Sequence, residues 1–176
     1  MTTYTKIQHF LTDRDNGQRL SLQPRLVLEE RNDGEMVVVS VDPSKRFQVI
    51  EGFGGAFTEA GAVTLQKLSP ANRQLALWAY FDRMKGHAYS LCRTHINSCD
   101  FALGNYAYTE TPGDVELKHF SLDRDRRALL PMIQEAQRIA GDGLKLFASP
   151  WSPPAWMKTN GQMNHGGRLK PDYRTA

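Results

Sequence analysis

Apolar residues recur at helical spacing in one stretch of the chain and cluster into short runs in three others. The helical stretch has apolar residues at spacings of four, three and four, at Leu129, Ile133, Ala136 and Ala140. A cap at Ser121 or Asp123 is expected to begin this helix, and Gly141-Asp142-Gly143 is expected to end it. Short apolar runs predict three strands, at 52–57, 88–96 and 144–148.

Two more helices are predicted between the first and second of these strands. Thr58 is placed to cap a helix that runs to Leu68, because its side chain can accept a backbone N–H of the first turn. Ser69 followed by Pro70 begins the next helix, since a proline at the first helical position sacrifices no hydrogen bond. The apolar residues that keep helical spacing along this second helix are Leu75, Trp78 and Phe81.

The alternation of strands and helices indicates the fold class. Strand, helix, strand, helix, strand is the pattern of an α/β protein with a parallel sheet and right-handed crossovers. The alternation alone does not separate a doubly wound sheet from a (β/α)8 barrel.

Ahead of this alternation, residues 1–50 are predicted to be strands. Runs at 26–28 and 36–41 flank Asn32-Asp33-Gly34, a strong hairpin signal, and a third run lies at 47–50.

Composition and charge exclude several classes of protein. A chain of 176 residues, with 40% hydrophobic and 23% charged residues, can build a domain with a proper core. The formal charge is +3, and the densest charge run, residues 123–127, alternates in sign like a solvated helix start, so no nucleic-acid partner is expected. No apolar run approaches the roughly 20 residues of a membrane span. No signal peptide is seen either, so we expect a soluble, cytoplasmic protein.

Neither a disulfide nor a metal site is expected. Cys92 and Cys99 are seven residues apart, and held extended they would lie about 23 Å from each other, beyond disulfide reach. No Cys-x-x-Cys pair occurs. His95 has no second histidine or acid at ligand spacing, so it is interpreted as a core histidine.

Three segments follow the predicted strands, at the edge where parallel α/β folds place their sites. The first, 54–59, could open a dinucleotide site, but Phe57 stands where the fingerprint needs its third glycine, so no nucleotide cofactor is expected. In the second, Asp100 is the first carboxylate after a strand without acids, and it is either a loop cap or a ligand-binding group. The third holds Trp151 and Trp156. Such tryptophans either pack on sugar rings or fill the mouth of a barrel.

Arg93 lies inside the second predicted strand, among apolar residues. A barrel strand alternates its faces, so an inward arginine would be buried and would need an anionic partner. We therefore predict a carboxylate close to Arg93 in the fold.

These strand-end segments together resemble a known family. Residues 52–60, 93–101 and 148–161 resemble glycoside hydrolase family 30, and particularly its glucosylceramidase (glucocerebrosidase) branch, as do the linking residues 106–114 and 120–122. The resemblance extends from about residue 47 to 170. It implies a (β/α)8 TIM barrel with an attached β-sandwich side domain. Residues 1–50 would supply strands of the side domain, and residues 51–176 the first part of the catalytic barrel, truncated after about three strands.

The resemblance also implies an activity and residue roles. Enzymes of this branch hydrolyse the β-glucosidic bond of glucosylceramide or a related β-glucoside with retention of configuration. The residues matching Asp100 and Trp151 contact the glucosyl unit, and the residue matching Phe101 lines the site. The arginine matching Arg93 contacts the catalytic nucleophile. No cofactor or metal is implied.

The bond-breaking groups are expected outside this chain. The family's acid/base glutamate follows the fourth barrel strand in an Asn-Glu-Pro segment, and its nucleophile glutamate follows the seventh. No Asn-Glu-Pro occurs here, so both glutamates are expected beyond Ala176. The chain is therefore predicted to be inactive alone and to need the remainder of the barrel for folding. The alternative is a non-catalytic carbohydrate-binding module that uses Trp151 and Trp156.

Overall fold

The structure is a computed structural model that describes residues 7–26, 37 and 39–174. The chain divides into two compact units, residues 1–47 and 48–176. The first unit contains an antiparallel hairpin of strands β1 (Phe10–Asp13) and β2 (Gln18–Leu22). Gly17 adopts a φ of 66° in the hairpin turn, a left-handed conformation that glycine reaches without steric strain.

The strands predicted for residues 1–50 differ from those in the structure. The predicted turn at residues 32–34 and most of its flanking runs lie outside the described residues. The described part of those runs, residues 26, 37 and 39–41, is in no strand. The third predicted strand, 47–50, is wrong: these residues are in no strand, and their apolar side chains are exposed. An apolar run forms a strand only where a neighbouring strand satisfies its backbone groups, and among the described residues none pairs with 47–50.

The second unit carries the predicted alternation of helices and strands. Its elements are α1 (Glu59–Gln66), α2 (Pro70–Phe81), β3 (Leu91–Ile96), α3 (Leu129–Ala140) and β4 (Lys145–Pro150). Strands β3 and β4 are parallel, with Arg93 opposite Phe147 and His95 opposite Ser149. Parallel neighbours need a long crossover connection, and α3 forms it here. None of the helices in the described residues is long and apolar enough to cross a membrane.

The predicted strand at 52–57 runs along the other edge of β3. The Arg93 N–H donates to the Gly55 carbonyl at 3.1 Å, and the Phe57 N–H donates to the Arg93 carbonyl at 2.8 Å. Gly54 approaches β3 so closely that a Cβ atom would lie 2.1 Å from the Leu91 carbonyl oxygen, so only glycine fits there. The three extended segments therefore lie side by side in chain order.

The predicted starts of α1 and α2 are confirmed. Thr58 Oγ1 accepts the Gly61 N–H at 3.1 Å, and Ser69 Oγ accepts the Asn72 N–H at 3.3 Å. Each hydroxyl satisfies a donor that has no carbonyl partner within the first turn. The end of α3 is also as predicted, because Gly141 follows its last residue with a φ of 67°.

Helix α3 begins later than predicted. The Ser121 hydroxyl accepts the Asp123 N–H at 3.1 Å in a local turn, and neither residue caps the helix. A 3-10 turn at Asp125–Arg127 precedes the first helical residue, Leu129, and Ala128 at the cap position makes no side-chain hydrogen bond. Arg124 and Asp125, expected in the first helical turn, instead form side-chain contacts with other parts of the chain.

Both larger helices pack on the same face of the sheet. The core consists of Phe57, Leu77, Phe81, Cys92, Leu129, Ile133, Ala136 and Ala140. It includes all four apolar positions predicted for α3. Of the three apolar residues at helical spacing in α2, only Phe81 is buried: Leu75 and Trp78 are exposed, and Leu77 is buried in their place. The Phe81 ring stacks on the Phe57 ring, with centroids 5.6 Å apart. This contact turns toward the core the side of α2 that carries Leu77, four residues before Phe81.

Candidate functional site

The loops that follow β3 and β4 begin side by side. Parallel pairing aligns His95 with Ser149, so the loops that start at Asn97 and Trp151 leave the same edge of the sheet. This edge is formed by the carboxyl ends of the strands, where α/β folds bind their ligands.

Arg93 lies on the sheet face opposite the helices. Its neighbour Cys92 is part of the helical core, and side chains alternate along a strand. The Arg93 Nε donates to Ser149 Oγ at 2.7 Å, and its guanidinium carbon lies 5.1 Å from the centroid of the Trp151 ring. This is a cation–π geometry. No ion pair joins Arg93 to a carboxylate of the described residues, so its expected anionic partner stays a prediction.

The two tryptophans of the loop after β4 have different surroundings. Trp151 is 50% exposed at the strand-end edge. Trp156 is half-buried: its indole N–H donates to the Thr109 carbonyl at 3.0 Å, and its ring meets the Tyr173 ring edge-on at 4.9 Å. Trp156 therefore fixes loops to each other, whereas half of the Trp151 side chain stays exposed, and its sugar-binding role stays a prediction.

Asp100 and Phe101 are exposed on the loop after β3. The Asp100 carboxylate forms no hydrogen bond or ion pair within the part of the chain that the structure describes. The loop-cap interpretation of Asp100 therefore has no support from its contacts. The Phe101 side chain is 61% exposed, although its backbone carbonyl is held by the Ala60 N–H at 3.0 Å. The roles assigned to both residues stay predictions.

Asn97 connects the site loops, and the sequence analysis did not single it out. It adopts a φ of 62°, a left-handed conformation that asparagine tolerates better than most residues. Its Nδ2 donates to the Ser152 carbonyl at 3.1 Å, and its Oδ1 accepts the Tyr108 N–H at 2.9 Å. An asparagine directly after a buried strand was the only sequence signal for this role.

His95 is a core histidine with one unsatisfied ring nitrogen. The side chain is 1% exposed, and Nδ1 lies 2.5 Å from the Asn97 carbonyl oxygen. Its ring packs edge-on against Tyr106, while Nε2 has no hydrogen-bond partner among the described residues. No group of three potential metal ligands occurs in the described ranges.

Asp125 is buried between two tyrosines. Its carboxylate accepts the Tyr106 hydroxyl at 2.5 Å and the Tyr108 hydroxyl at 2.6 Å, and the residue is only 3% exposed. Burial, and then the hydrogen bonds to Asp125, raise the pKa of both tyrosines, so both remain protonated donors. The interpretation of residues 123–127 as a solvated charge run is therefore wrong for Asp125.

Arg124, in the same run, forms an ion pair with Glu59 at the start of α1. The Arg124 Nε and Nη2 donate to the two Glu59 oxygens at 2.8 and 3.0 Å. The Leu103 N–H donates to Glu59 as well, at 2.7 Å. The hydrogen bonds from Arg124 are the largest cause of a lowered pKa at Glu59, whose carboxyl is therefore ionised at neutral pH.

Similarity to known proteins decides the family. A profile of the glycosyl hydrolase family 30 TIM-barrel domain matches residues 50–174, which is more than half of the chain. The chain belongs to glycosyl hydrolase family 30. The matched residues include all three strand-end segments and every site residue described above.

Individual family 30 relatives are much longer than this chain. Mouse lysosomal acid glucosylceramidase is 39% identical over 155 residues, which cover 88% of this chain and 30% of that enzyme. The endo-1,6-β-D-glucanase of Neurospora crassa is 34% identical over 121 residues, 67% of this chain and 25% of that enzyme. The crystal structure of SrfJ from Salmonella typhimurium matches with a TM-score of 0.82 at 39% identity, over 96% of this chain and 37% of that one. The chain therefore spans well under half of the length of these relatives.

Membership of family 30 confirms the resemblance and the predicted fold class. The extended segments at 53–57, β3 and β4 lie in chain order with helices on one face, which is the arrangement of consecutive strands in a TIM barrel. Doubly wound sheets, left open by the sequence pattern, are thereby excluded. The domain boundary between residues 50 and 51 stays a prediction.

Proposed function

We propose that this chain is part of a retaining glycoside hydrolase of the glucosylceramidase type, and that it supplies the residues that bind the glucosyl unit. The observation that supports this most is a group of residues at the strand-end edge, which we call the strand-end cluster: Arg93, Asp100, Phe101, Ser149 and Trp151. Within it, Arg93 lies against Trp151 and donates to Ser149.

The strand-end cluster has the chemistry that binding of a sugar requires. The exposed ring of Trp151 can pack on the C–H face of a pyranose. The Asp100 carboxylate forms no hydrogen bond or ion pair with other described residues, so its oxygens are available to accept hydroxyl hydrogen bonds. Hydrogen bonds to an ionised acceptor are about twice as strong as neutral ones. A carboxylate and an aromatic ring at one edge therefore favour a glucosyl unit as ligand.

Two catalytic carboxylates are still required for hydrolysis. In a retaining enzyme they lie about 5–5.5 Å apart on either side of the glycosidic bond. The only acid of the strand-end cluster is Asp100, so we propose that both glutamates lie in the rest of a whole protein as long as the family 30 relatives. Arg93 would then contact the nucleophile and lower its pKa, because a nearby cation favours the charged carboxylate.

The leaving group is proposed to be apolar. Phe101 and Leu103 are large apolar residues on the loop that carries Asp100, and the backbone around them is held by hydrogen bonds. Large apolar side chains presented at the edge of a polar site suit an alkyl chain better than a second sugar. This observation favours glucosylceramide or a similar lipid β-glucoside over a glucan.

A carbohydrate-binding module is the less favoured alternative. A module must close its own core, whereas β4 has no second partner strand among the described residues. The two tryptophans that the module hypothesis needs also differ, because Trp156 is engaged with Thr109 and Tyr173.

The test is an assay of the 176-residue chain and of the whole protein on three substrates: glucosylceramide, an aryl β-glucoside and a β-1,6-glucan. We expect the whole protein to release glucose from the first two, with the β-anomer appearing first in an NMR time course, and we expect the chain alone to release none. Release of the α-anomer first would refute retention. Glucose release by the chain alone would refute the placement of both glutamates elsewhere, and hydrolysis of the glucan alone would refute the apolar leaving group.

A further inference from the structure

The loop that carries Asp100 and Phe101, residues 97–105, is held by an ion pair outside the strand-end cluster. We infer that Glu59 and Arg124 are positioning residues for this Asp100 loop. Their ion pair fixes the backbone at Leu103 and thereby sets where Asp100 and Phe101 present their side chains. The inference deepens the proposed function and rests on it for the identity of the ligand.

Glu59 uses both carboxylate oxygens to join three parts of the chain. One oxygen accepts from the Arg124 Nε, and the other accepts from the Arg124 Nη2 and from the Leu103 N–H. This bidentate geometry between Arg124 and Glu59 allows little rotation of either side chain. The carboxylate is therefore a fixed point to which the far end of the Asp100 loop is attached.

A second hydrogen bond from α1 reaches the same loop. The Ala60 N–H, next to Glu59, donates to the Phe101 carbonyl at 3.0 Å. Phe101 and Leu103 are thus both held through their backbones, while their side chains stay exposed. Asp100 immediately precedes the first of these attachment points, so the direction of its side chain depends on them.

Arg124 is itself fixed by an aromatic ring. Its guanidinium carbon lies 4.2 Å from the centroid of the Tyr106 ring, and the Tyr106 hydroxyl is bound by the buried Asp125. A flat guanidinium can stack on the ring and offer two parallel N–H groups to Glu59 at the same time. A lysine at position 124 would keep the charge but lose the second hydrogen bond.

The ion pair is attached to the Asp100 loop and not to the strands. The Glu59 side chain is 10% exposed and the Arg124 side chain 33% exposed, and their other side-chain hydrogen bonds go to the Leu103 N–H and the Gly104 carbonyl. Proteins open locally as well as globally, and a loop attached by a few polar contacts can open alone. Loss of the ion pair is therefore expected to loosen the Asp100 loop and to leave the sheet intact.

The experiment measures amide hydrogen exchange in the whole protein for the wild type, Glu59→Ala, Glu59→Gln and Arg124→Lys. We expect exchange at Leu103 to become at least about tenfold faster in Glu59→Ala, while amides within β3 keep their wild-type rates. Glu59→Gln keeps an acceptor for Leu103 and should be intermediate. Glu51→Gln is the matched control, because Glu51 forms an exposed ion pair with Lys145 at the other end of the strands.

Kinetics of the same variants separate positioning from stability. On an aryl β-glucoside, kcat/KM should fall about tenfold in Glu59→Ala, through a higher KM, and Glu59→Gln should recover part of it. Unchanged exchange at Leu103, equal loss of protection in β3, or an unchanged kcat/KM would each overturn the inference. A wild-type protein that hydrolyses no β-glucoside would refute the proposed function instead, and Leu103 exchange would still decide whether the ion pair holds the loop.

Discussion

The guanidinium carbon of Arg93, a residue within β3, lies 5.1 Å from the ring centroid of Trp151, the first residue after β4. The contact joins a partly buried cation, on the sheet face opposite the helices, to a half-exposed aromatic ring at the strand-end edge. A group proposed to act on the nucleophile is thus in direct contact with a group proposed to hold the sugar, so substitutions at either position are expected to affect both kcat and KM.

Arg93→Met is expected to move the acidic limb of the kcat/KM profile of the whole protein to higher pH. Arg93 is proposed to lie beside the nucleophile, and removal of a cation raises the pKa of a neighbouring carboxylate. The acidic limb reports the essential base of the free enzyme. The measurement is a pH–rate profile on one β-glucoside.

Arg93→Lys is the control for that experiment. Lysine restores the charge but neither the planar contact with Trp151 nor the hydrogen-bond geometry at Ser149, so a smaller shift with partial loss of activity is expected. An acidic limb that stays in place in Arg93→Met would show that Arg93 does not act on the nucleophile.

Asp100→Ala is expected to lower kcat/KM by about tenfold to a hundredfold. A hydrogen bond to a charged group contributes about 1.5–3 kcal/mol, and each factor of ten corresponds to about 1.4 kcal/mol. The melting temperature should stay near that of the wild type, because the exposed carboxylate forms no hydrogen bond or ion pair with other described residues. Normal turnover together with a lower melting temperature would assign Asp100 to the structure of the loop.

Matched substitutions of the two tryptophans should affect different properties, KM for Trp151 and stability for Trp156. Trp151→Phe should raise KM and leave the melting temperature nearly unchanged, because the ring is half exposed. Trp156→Phe removes the N–H that binds the Thr109 carbonyl, which should cost about 1 kcal/mol of stability with a smaller effect on KM. Thermal melts and Michaelis curves of both variants provide the comparison. If Trp156→Phe were the variant with the raised KM, the assignment of the sugar-facing ring would be wrong.

The tyrosine pair at Asp125 should make the whole protein less stable at alkaline pH. Burial raises the pKa of Tyr106 and Tyr108 in the folded protein, and the model-compound value is 10.0. Groups with a raised folded pKa contribute stability that is fully present below the unfolded pKa and is lost as pH rises above it. The free energy of unfolding should therefore fall above about pH 10.

The Tyr106→Phe and Tyr108→Phe double variant tests this assignment. It should be less stable at neutral pH, because each lost bond to the buried carboxylate contributes about 1.5–3 kcal/mol. Its decline above pH 10 should be shallower than that of the wild type, as measured by urea unfolding at several pH values. An equally steep decline would mean that other groups cause the alkaline loss.

The sequence determined the order of helices and strands in the second unit and the edge at which its candidate site lies. Thr58 and Ser69 begin helices because a hydroxyl before a helix satisfies a free N–H wherever the helix packs. The buried face of α3 was likewise readable from spacing alone, because its amphipathic period is local. Asp100 and Trp151 were chosen as candidate site residues because strand ends define the functional edge of a parallel sheet, and their roles stay predictions.

Contacts between distant segments were decided only by the tertiary structure. The buried face of α2 depends on the stacking of Phe81 on Phe57, and the placement of Asp125 depends on two tyrosine hydroxyls from another loop. The charge pattern at residues 123–127 predicts a solvated surface, because sequence spacing records which charges are neighbours along the chain. Sequence spacing does not record which donors approach from other segments. The buried Asp125 carboxylate is stable because the Tyr106 and Tyr108 hydroxyls donate hydrogen bonds to it.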